Sequence, residues 1–282
     1  MTDDLQAWVG RRETAEDAVT LRDARRMAAM LDADRAPGAI EEGAPLPALW
    51  HWLAFAPAVG MAGLGRDGHP ALGGFLPPVA LERRMWAGGR LRFGAPLCIG
   101  EALRRQSEIL RIAEKTGSAG RMVIVTVGHR ITGAGGGSVE EQHDIAYVAM
   151  PDRFAPPPPV PLPGAAAWEH PFAATPVRLF RYSALTFNGH RIHYDLPYAQ
   201  DVEKYPGLVV HGPLQATIAM EAARQRSGLA PAAMTYRGVR PLFCDDAPRA
   251  LGWPVRGGRQ AVAVATAGGL VTMQGDIDWV PA

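Results

Sequence analysis

The sequence predicts an α+β fold in which two curved antiparallel sheets each wrap a central helix. Three observations carry this. Most apolar segments are short and alternate with polar residues, the period of a half-buried strand. One segment, Pro213 to Arg226, is apolar nearly all round and so belongs inside a sheet's curve, not on a surface. A proline-rich stretch, Phe154 to Ala167 (FAPPPPVPLPGAAA), divides the chain near its middle, and the order of elements before it is repeated in shorter form after it.

Taken in order, Glu13 to Asp34 places Val19, Leu21, Ala24, Met27, Ala28 and Leu31 at helical spacing, with Pro37 and Gly38 marking the exit. Leu46 to Ala56 holds Trp50 and Trp52 between prolines and reads as a short buried helix. Gly60 to Gly89 is irregular and rich in Gly and Pro (GGFLPP, WAGG), and a loop of that length in a compact domain usually has a task of its own. Strands follow at Arg90–Phe93, Ala102–Ala113, Arg121–Ile131 and, after the turn GAGGGS, at Glu140–Met150. That turn lacks the Lys-Ser/Thr of a phosphate loop.

Beyond the linker, Val177 to Tyr182 reads as a short strand and Leu208 to Val210 as an extended run. The helix then starts at His211-Gly212-Pro213, with proline in its first turn and Gly228 as its stop. Strand-like runs close the chain at Met234–Phe243, Arg249–Val255, Gln260–Thr266 and Leu270–Val280. The expected organisation is a first half at 1–153, a linker at 154–167 and a second half at 168–282. A helix wrapped by a sheet, twice in one chain, is the double hotdog arrangement.

Composition narrows the function. The formal net charge is +1, and the 29 basic residues include only two lysines, Lys115 and Lys204, with no basic block. A nucleic-acid partner is therefore not expected. The N-terminus carries neither a signal peptide nor a membrane span, so a soluble, cytoplasmic protein is expected. Cys98 and Cys244 stand far apart, which argues against a disulfide framework or a thiolate zinc site.

The chemistry concentrates between Phe180 and Leu214. Here His190, His193 and His211 fall with Asn188, Asp195 and Glu203 just ahead of a helix N-terminus. Histidine titrates near neutrality, and free N–H groups at a helix start can hold developing negative charge. A metal site from His190, His193 and Asp195 is the lesser reading, and no metal is expected.

This stretch, RYSALTFNGHRIHYD followed by YPGLVVHGPL, resembles the MaoC-like hydratase/dehydratase family. Within it the resemblance is to the branch of mesaconyl-C4-CoA (3-methylfumaryl-CoA) hydratases and type-2 3-hydroxyacyl-thioester dehydratases. It runs from Phe180 to about Arg224, more loosely to Phe243, and makes the first half a degenerate hotdog that houses substrate. It implies a hydro-lyase that adds water across the C2=C3 bond of a 2-enoyl-CoA thioester, with an acyl-CoA as partner, no cofactor and a homodimeric assembly. The family's Asp and His five positions apart fall on Asn188 and His193. The Asn is a departure, since it cannot take a proton at neutral pH. His193 is then the base, Asn188 positions the water, and the N–H of Gly212 polarises the thioester carbonyl.

Asp195 is expected to orient His193 or to cap a turn. Tyr182 and His211 are expected to border the substrate, with helix capping as the other role for His211. A mesaconyl-type substrate has a free carboxylate and calls for a fixed cation, for which Arg191 and Arg181 are nearest in sequence. Arg237 and Arg240 would meet the phosphates of CoA or form an exposed face. The competing functions are an (R)-3-hydroxyacyl-thioester dehydratase of fatty-acid synthesis, a hotdog thioesterase using Glu221, and a non-catalytic acyl-CoA-binding module.

Overall fold

The computed structural model describes residues 4–32, 40–117, 120–244 and 246–280. Ten strands form one antiparallel sheet: β1 (Arg12–Asp17), β2 (Arg83–Phe93), β3 (Leu103–Gly117), β4 (Gly120–Gly133), β5 (Ser138–Val148), β6 (Trp168–Pro171), β7 (Pro231–Gly238), β8 (Arg249–Gly252), β9 (Arg259–Ala265) and β10 (Val271–Trp279). Their order is β1-β3-β4-β5-β2-β7-β10-β9-β8-β6, so the second half repeats the first in mirror order about a β2–β7 seam. The two sheets of the expected fold thus join edge to edge. The seam pairs Gly88–Arg92 with residues of β7, and Gly88 allows it, because a Cβ there would lie 2.5 Å from the Tyr236 carbonyl oxygen. Beyond the seam, Arg83 to Trp86 pair with β5 alone, leaving between the halves a cleft in the backbone pairing that loops of both halves fill.

Three α-helices accompany the sheet among the described residues. The stretch expected to be one helix from Glu13 to Asp34 is β1 followed by α1 (Leu21–Leu31). The apolar spacing begins only at Val19, and Thr20 caps α1 by accepting from the Asp23 N–H at 3.2 Å. The expected exit at Asp34, Pro37 and Gly38 lies outside the described residues. β1, RETAED, is a charged edge strand, a composition that discourages pairing with another chain. The run Val177 to Tyr182, expected as a strand, lies in helix α2 (Pro176–Leu185). Thr175 caps that helix at the Arg178 N–H, and Pro176 opens it with a preset φ. α1 and α2 pack against each other.

Helix α3 (Gly212–Ser227) is buried from Pro213 to Ala223 and lies in the curve of β7 to β10, as its all-round apolar sequence requires. In the first half the corresponding place in the order holds, among the described residues, only two 3-10 turns, Trp50–Leu53, where a short helix was expected, and Met61–Gly63. A buried carboxylate, Glu141, pins this turn by accepting from Trp52 Nε1 at 2.9 Å and pairing with His51 Nε2 at 3.1 Å. Of the irregular stretch expected from Gly60 to Gly89, the end from Arg83 is strand β2. The other expected strands stand in their places, except that β7 ends at Gly238 and β8 at Gly252, while β6 has no counterpart among the expected strands.

The proline-rich segment runs extended across the sheet face opposite α3. Its Val160, Leu162 and Ala166 cover Leu251, Ala263, Ala265 and Val271. Among the described residues, no helix is long and apolar enough to cross a membrane.

Candidate active site

The loop between α2 and α3 enters the cleft with three histidines, His190, His193 and His211, and His69 of the first half extends them to a row of four. His193 ends a 3-10 turn, Arg191–His193, and is buried. Its Nδ1 lies 2.7 Å from the Val209 carbonyl oxygen, which can only accept, so the proton sits on Nδ1 and the Nε2 lone pair is free. Burial, with His211 and His190 close by, holds its pKa well below 6.5. At neutral pH the ring is therefore an uncharged base.

The His193 ring stacks on that of His211, with centroids 3.6 Å apart and planes at 20°. His211 is the residue before α3, and its Nε2 meets Ser183 Oγ at 2.8 Å while Nδ1 has no partner. Burial, then His190, pulls its pKa down to about 3. Gly212 begins the helix, Pro213 after it has no N–H, and the Gly212 N–H meets no acceptor among the described residues. The base and the unsatisfied helix terminus are thus neighbours. Tyr182 backs the pair, edge-on to His211 at 4.9 Å.

Asn188 accepts from the His190 N–H at 3.0 Å through Oδ1, an Asx turn that shapes the loop. Asp195 does not orient His193. Its carboxylate takes Arg191 Nε and Nη2 at 2.9 and 2.7 Å and the Tyr198 N–H at 3.1 Å, so it caps the next turn, and the Val209 carbonyl does the orienting. Arg191 is correspondingly engaged: it pairs with Asp195, donates to the Arg66 carbonyl and lies over the Tyr198 ring. Arg181 is on the exposed side of α2. Arg237 points from β7 to the face opposite α3, where it lines a groove of about 760 Å³ with Arg90, Arg111 and Lys115. Arg240 is half-buried just beyond β7. None of these four arginines touches the histidine row.

The first half supplies groups that sequence reasoning missed. His69, in the Gly- and Pro-rich loop, lies 4.2 Å from His190 between ring centroids, and its Nδ1 pairs with Asp67 at 2.7 Å. Burial above all pulls the His69 pKa down to about 4. Arg83, from the part of β2 that pairs with β5 alone, donates to Glu203 at 3.2 Å, and Glu203 also meets His190 Nε2 at 3.2 Å. The task expected of a long loop was the signal for Asp67 and His69, and Glu203 lay in the motif itself. Arg83 left no local signal. Asp67, His69 and His190 bring ligand atoms within 4.8 Å of one another and are the set that could hold a metal; His193 and Asp195 are not part of it.

The arrangement can take a proton at His193 Nε2 and stabilise an oxyanion at Gly212, the two needs of water addition to an alkene conjugated with a carbonyl. Comparison with known proteins agrees. The profile of the hydroxyacyl-thioester dehydratase type 2 family matches residues 49–244. A mesaconyl-C(4)-CoA hydratase of Chloroflexus aurantiacus is 46% identical over 246 residues, 87% of each chain. The mitochondrial hydroxyacyl-thioester dehydratase type 2 of Schizosaccharomyces pombe is 30% identical over 206 residues, covering 62% of this chain and 66% of its own. Among solved structures, a MaoC-like dehydratase superposes with a TM-score of 0.73 at 15% identity, covering 99% of this chain and all of the other, a likeness of fold. Another, from Phytophthora capsici, gives 0.69 at 12% identity over 98% of both chains.

Proposed function

The chain belongs to the hydroxyacyl-thioester dehydratase type 2 family, and from that premise we propose that it hydrates mesaconyl-C4-CoA to a citramalyl-type 3-hydroxyacyl-CoA. It is a hydro-lyase acting reversibly on the C2=C3 bond of a 2-enoyl thioester. The observation that carries the reading is the fixed tautomer of His193, whose free Nε2 stands beside the open helix terminus at Gly212.

In this reading Gly212 N–H takes the thioester oxygen and draws electrons from the alkene, so that C3 becomes electrophilic. His193 Nε2 removes a proton from water as the oxygen attacks C3. The negative charge gathers on the thioester oxygen as an enolate, and the protonated ring returns a proton to C2. Asn188 shapes the loop that presents the base. No step draws on a metal or cofactor. The protein works as a cytoplasmic homodimer, with the second half (168–282) carrying the base and the first half (1–153) enclosing the acyl group.

The test is hydration of mesaconyl-C4-CoA and crotonyl-CoA, followed by loss of enoyl-thioester absorbance, in wild type and His193→Ala. Loss of roughly 100-fold or more in kcat supports the base. Unchanged turnover removes His193 from the mechanism, and a wild type inert on every enoyl thioester favours a binding module.

A further inference from the structure

A diacid monothioester needs something to hold its free carboxylate, and the four arginines named from the sequence do not reach the histidine row. A fifth does. Arg84 stands on β2 directly opposite Tyr147 of β5, so both side chains rise from the same face of the sheet. Trp86, two residues along and on that same face, has its carbonyl oxygen beside Gly212, 3.9 Å from where a Cβ would be. Two residues of strand cover about 6.6 Å. Arg84 therefore lies one short step up the cleft from the helix terminus, on a scale that suits a diacid with four carbons in its chain.

Two donors meet there with little to donate to. Tyr147 is fully buried, and its hydroxyl, which lies beside the Arg84 guanidinium, donates to no acceptor among the described residues. The Arg84 guanidinium lies beside that oxygen and forms no ion pair within 4.0 Å among the described residues. Besides the Tyr147 oxygen, its acceptor among the described residues is the Pro70 carbonyl, at a long 3.4 Å. Buried donors in native proteins are almost always satisfied, so an unfilled pair of this kind marks where an acceptor belongs. A carboxylate has the lone pairs to accept from guanidinium and phenol together. The charged and titratable neighbours are Asp67 and His69, which are bonded to each other. They come from the loop that also supplies Pro70, so the same segment forms the pocket's rim and touches His190.

We propose that Arg84 and Tyr147 bind the free carboxylate of the substrate and select diacid monothioesters over neutral enoyl thioesters. This rests on the hydratase reading above and names the specificity residues of that site. The Gly212 N–H holds the thioester end, the Arg84 pair holds the carboxylate carried by C3, and the alkene between them is presented to His193.

The experiment measures kcat/KM on mesaconyl-C4-CoA and crotonyl-CoA for wild type, Arg84→Gln, Arg84→Lys and Tyr147→Phe, with thermal melting to confirm folding. Arg84→Gln should lower the diacid-to-neutral ratio of specificity constants roughly 100-fold, mainly through KM of the diacid. Tyr147→Phe, an isosteric change, should lower it roughly tenfold. Arg84→Lys should fall between, because it keeps the charge and loses the fork. A ratio that stays within about threefold of wild type in folded Arg84→Gln and Tyr147→Phe overturns the assignment, as does a wild type that prefers crotonyl-CoA. If Arg84→Gln does not fold, the other two variants decide. Failure of the hydratase reading looks different: wild type then turns over neither thioester.

Discussion

Gly68 and Gly189 meet backbone to backbone across the cleft: a Cβ on Gly189 would lie 2.6 Å from the Gly68 carbonyl oxygen, and one on Gly68 would overlap the Gly189 carbonyl. Gly68 also holds φ at +87°, a conformation that side chains rarely adopt. Next to this contact the Arg191 N–H donates to the Asp67 carbonyl at 2.9 Å. The first half's long loop is thereby fastened to the loop carrying His190 and His193. Gly68→Ala should lower kcat/KM roughly tenfold by displacing that loop, and should lower the melting temperature as well. An unperturbed variant would show the two loops to be independent.

The pH dependence of hydration follows from the His193 tautomer. Burial holds its pKa well below 6.5, so the free base persists as pH falls through neutrality. The profile of kcat/KM should stay flat from pH 8 to about 6 and decline only below that. An acid limb centred at or above 6.5 would point to a different base.

Stability should change in the same direction for a related reason. His211, His69 and His129 have folded pKa values lowered to about 3, 4 and 3, chiefly by burial. Between those values and the ordinary 6.5, the unfolded chain binds more protons than the folded one. Their contribution is complete above pH 6.5 and is lost progressively as pH falls toward 4. Melting temperature should decline over that window, and a flat curve from pH 7 to 4.5 would contradict the buried neutral cluster.

Glu203 is the buried joint between Arg83 and His190, with only 3% of its side chain exposed against 12% for Arg83. Glu203→Ala leaves that guanidinium without its counter-charge and should cost about 3 kcal/mol in chemical unfolding. A loss below about 1 kcal/mol would mean that water replaces the carboxylate at no great penalty.

Glu221 separates hydration from thioester hydrolysis. It is the only carboxylate on α3, buried and paired with Arg224 at 3.0 Å, and burial raises its pKa. Nine residues along the helix put it about 13 Å from Gly212, too far to attack a thioester held there. Glu221→Gln should leave hydration within about twofold of wild type. Loss of thioester cleavage in that variant, with cleavage present in wild type, would restore the thioesterase reading.

The parts of this molecule set by local chemistry could be read from the sequence, and those set by distant contacts could not. Strands β3 to β5 alternate, and α3 carries its own start and stop, so they stand where expected. Val177 to Tyr182 reads as a strand because Val177, Phe180 and Tyr182 favour extended backbone, whereas the Thr175-Pro176 cap makes it helix α2. β1 is too charged to show a period and is held by its pairing with β3. In the site, His193 and Gly212 share one motif. Arg83 lies 120 residues from its partner Glu203, and Asp67 meets His190 only because the halves close on each other.

That the first half holds a 3-10 turn at Trp50–Leu53 in place of a long central helix bears on stoichiometry. A tandem of equal repeats would present twin oxyanion holes, one at the tip of each internal rod. Here the leading repeat has no such rod among the described residues, and its interior is filled by Met27, Met30, Leu49 and Trp50, so the proposed oxyanion hole at Gly212 has no twin. Equilibrium titration with a product thioester should accordingly saturate at one equivalent per polypeptide, whatever the assembly state.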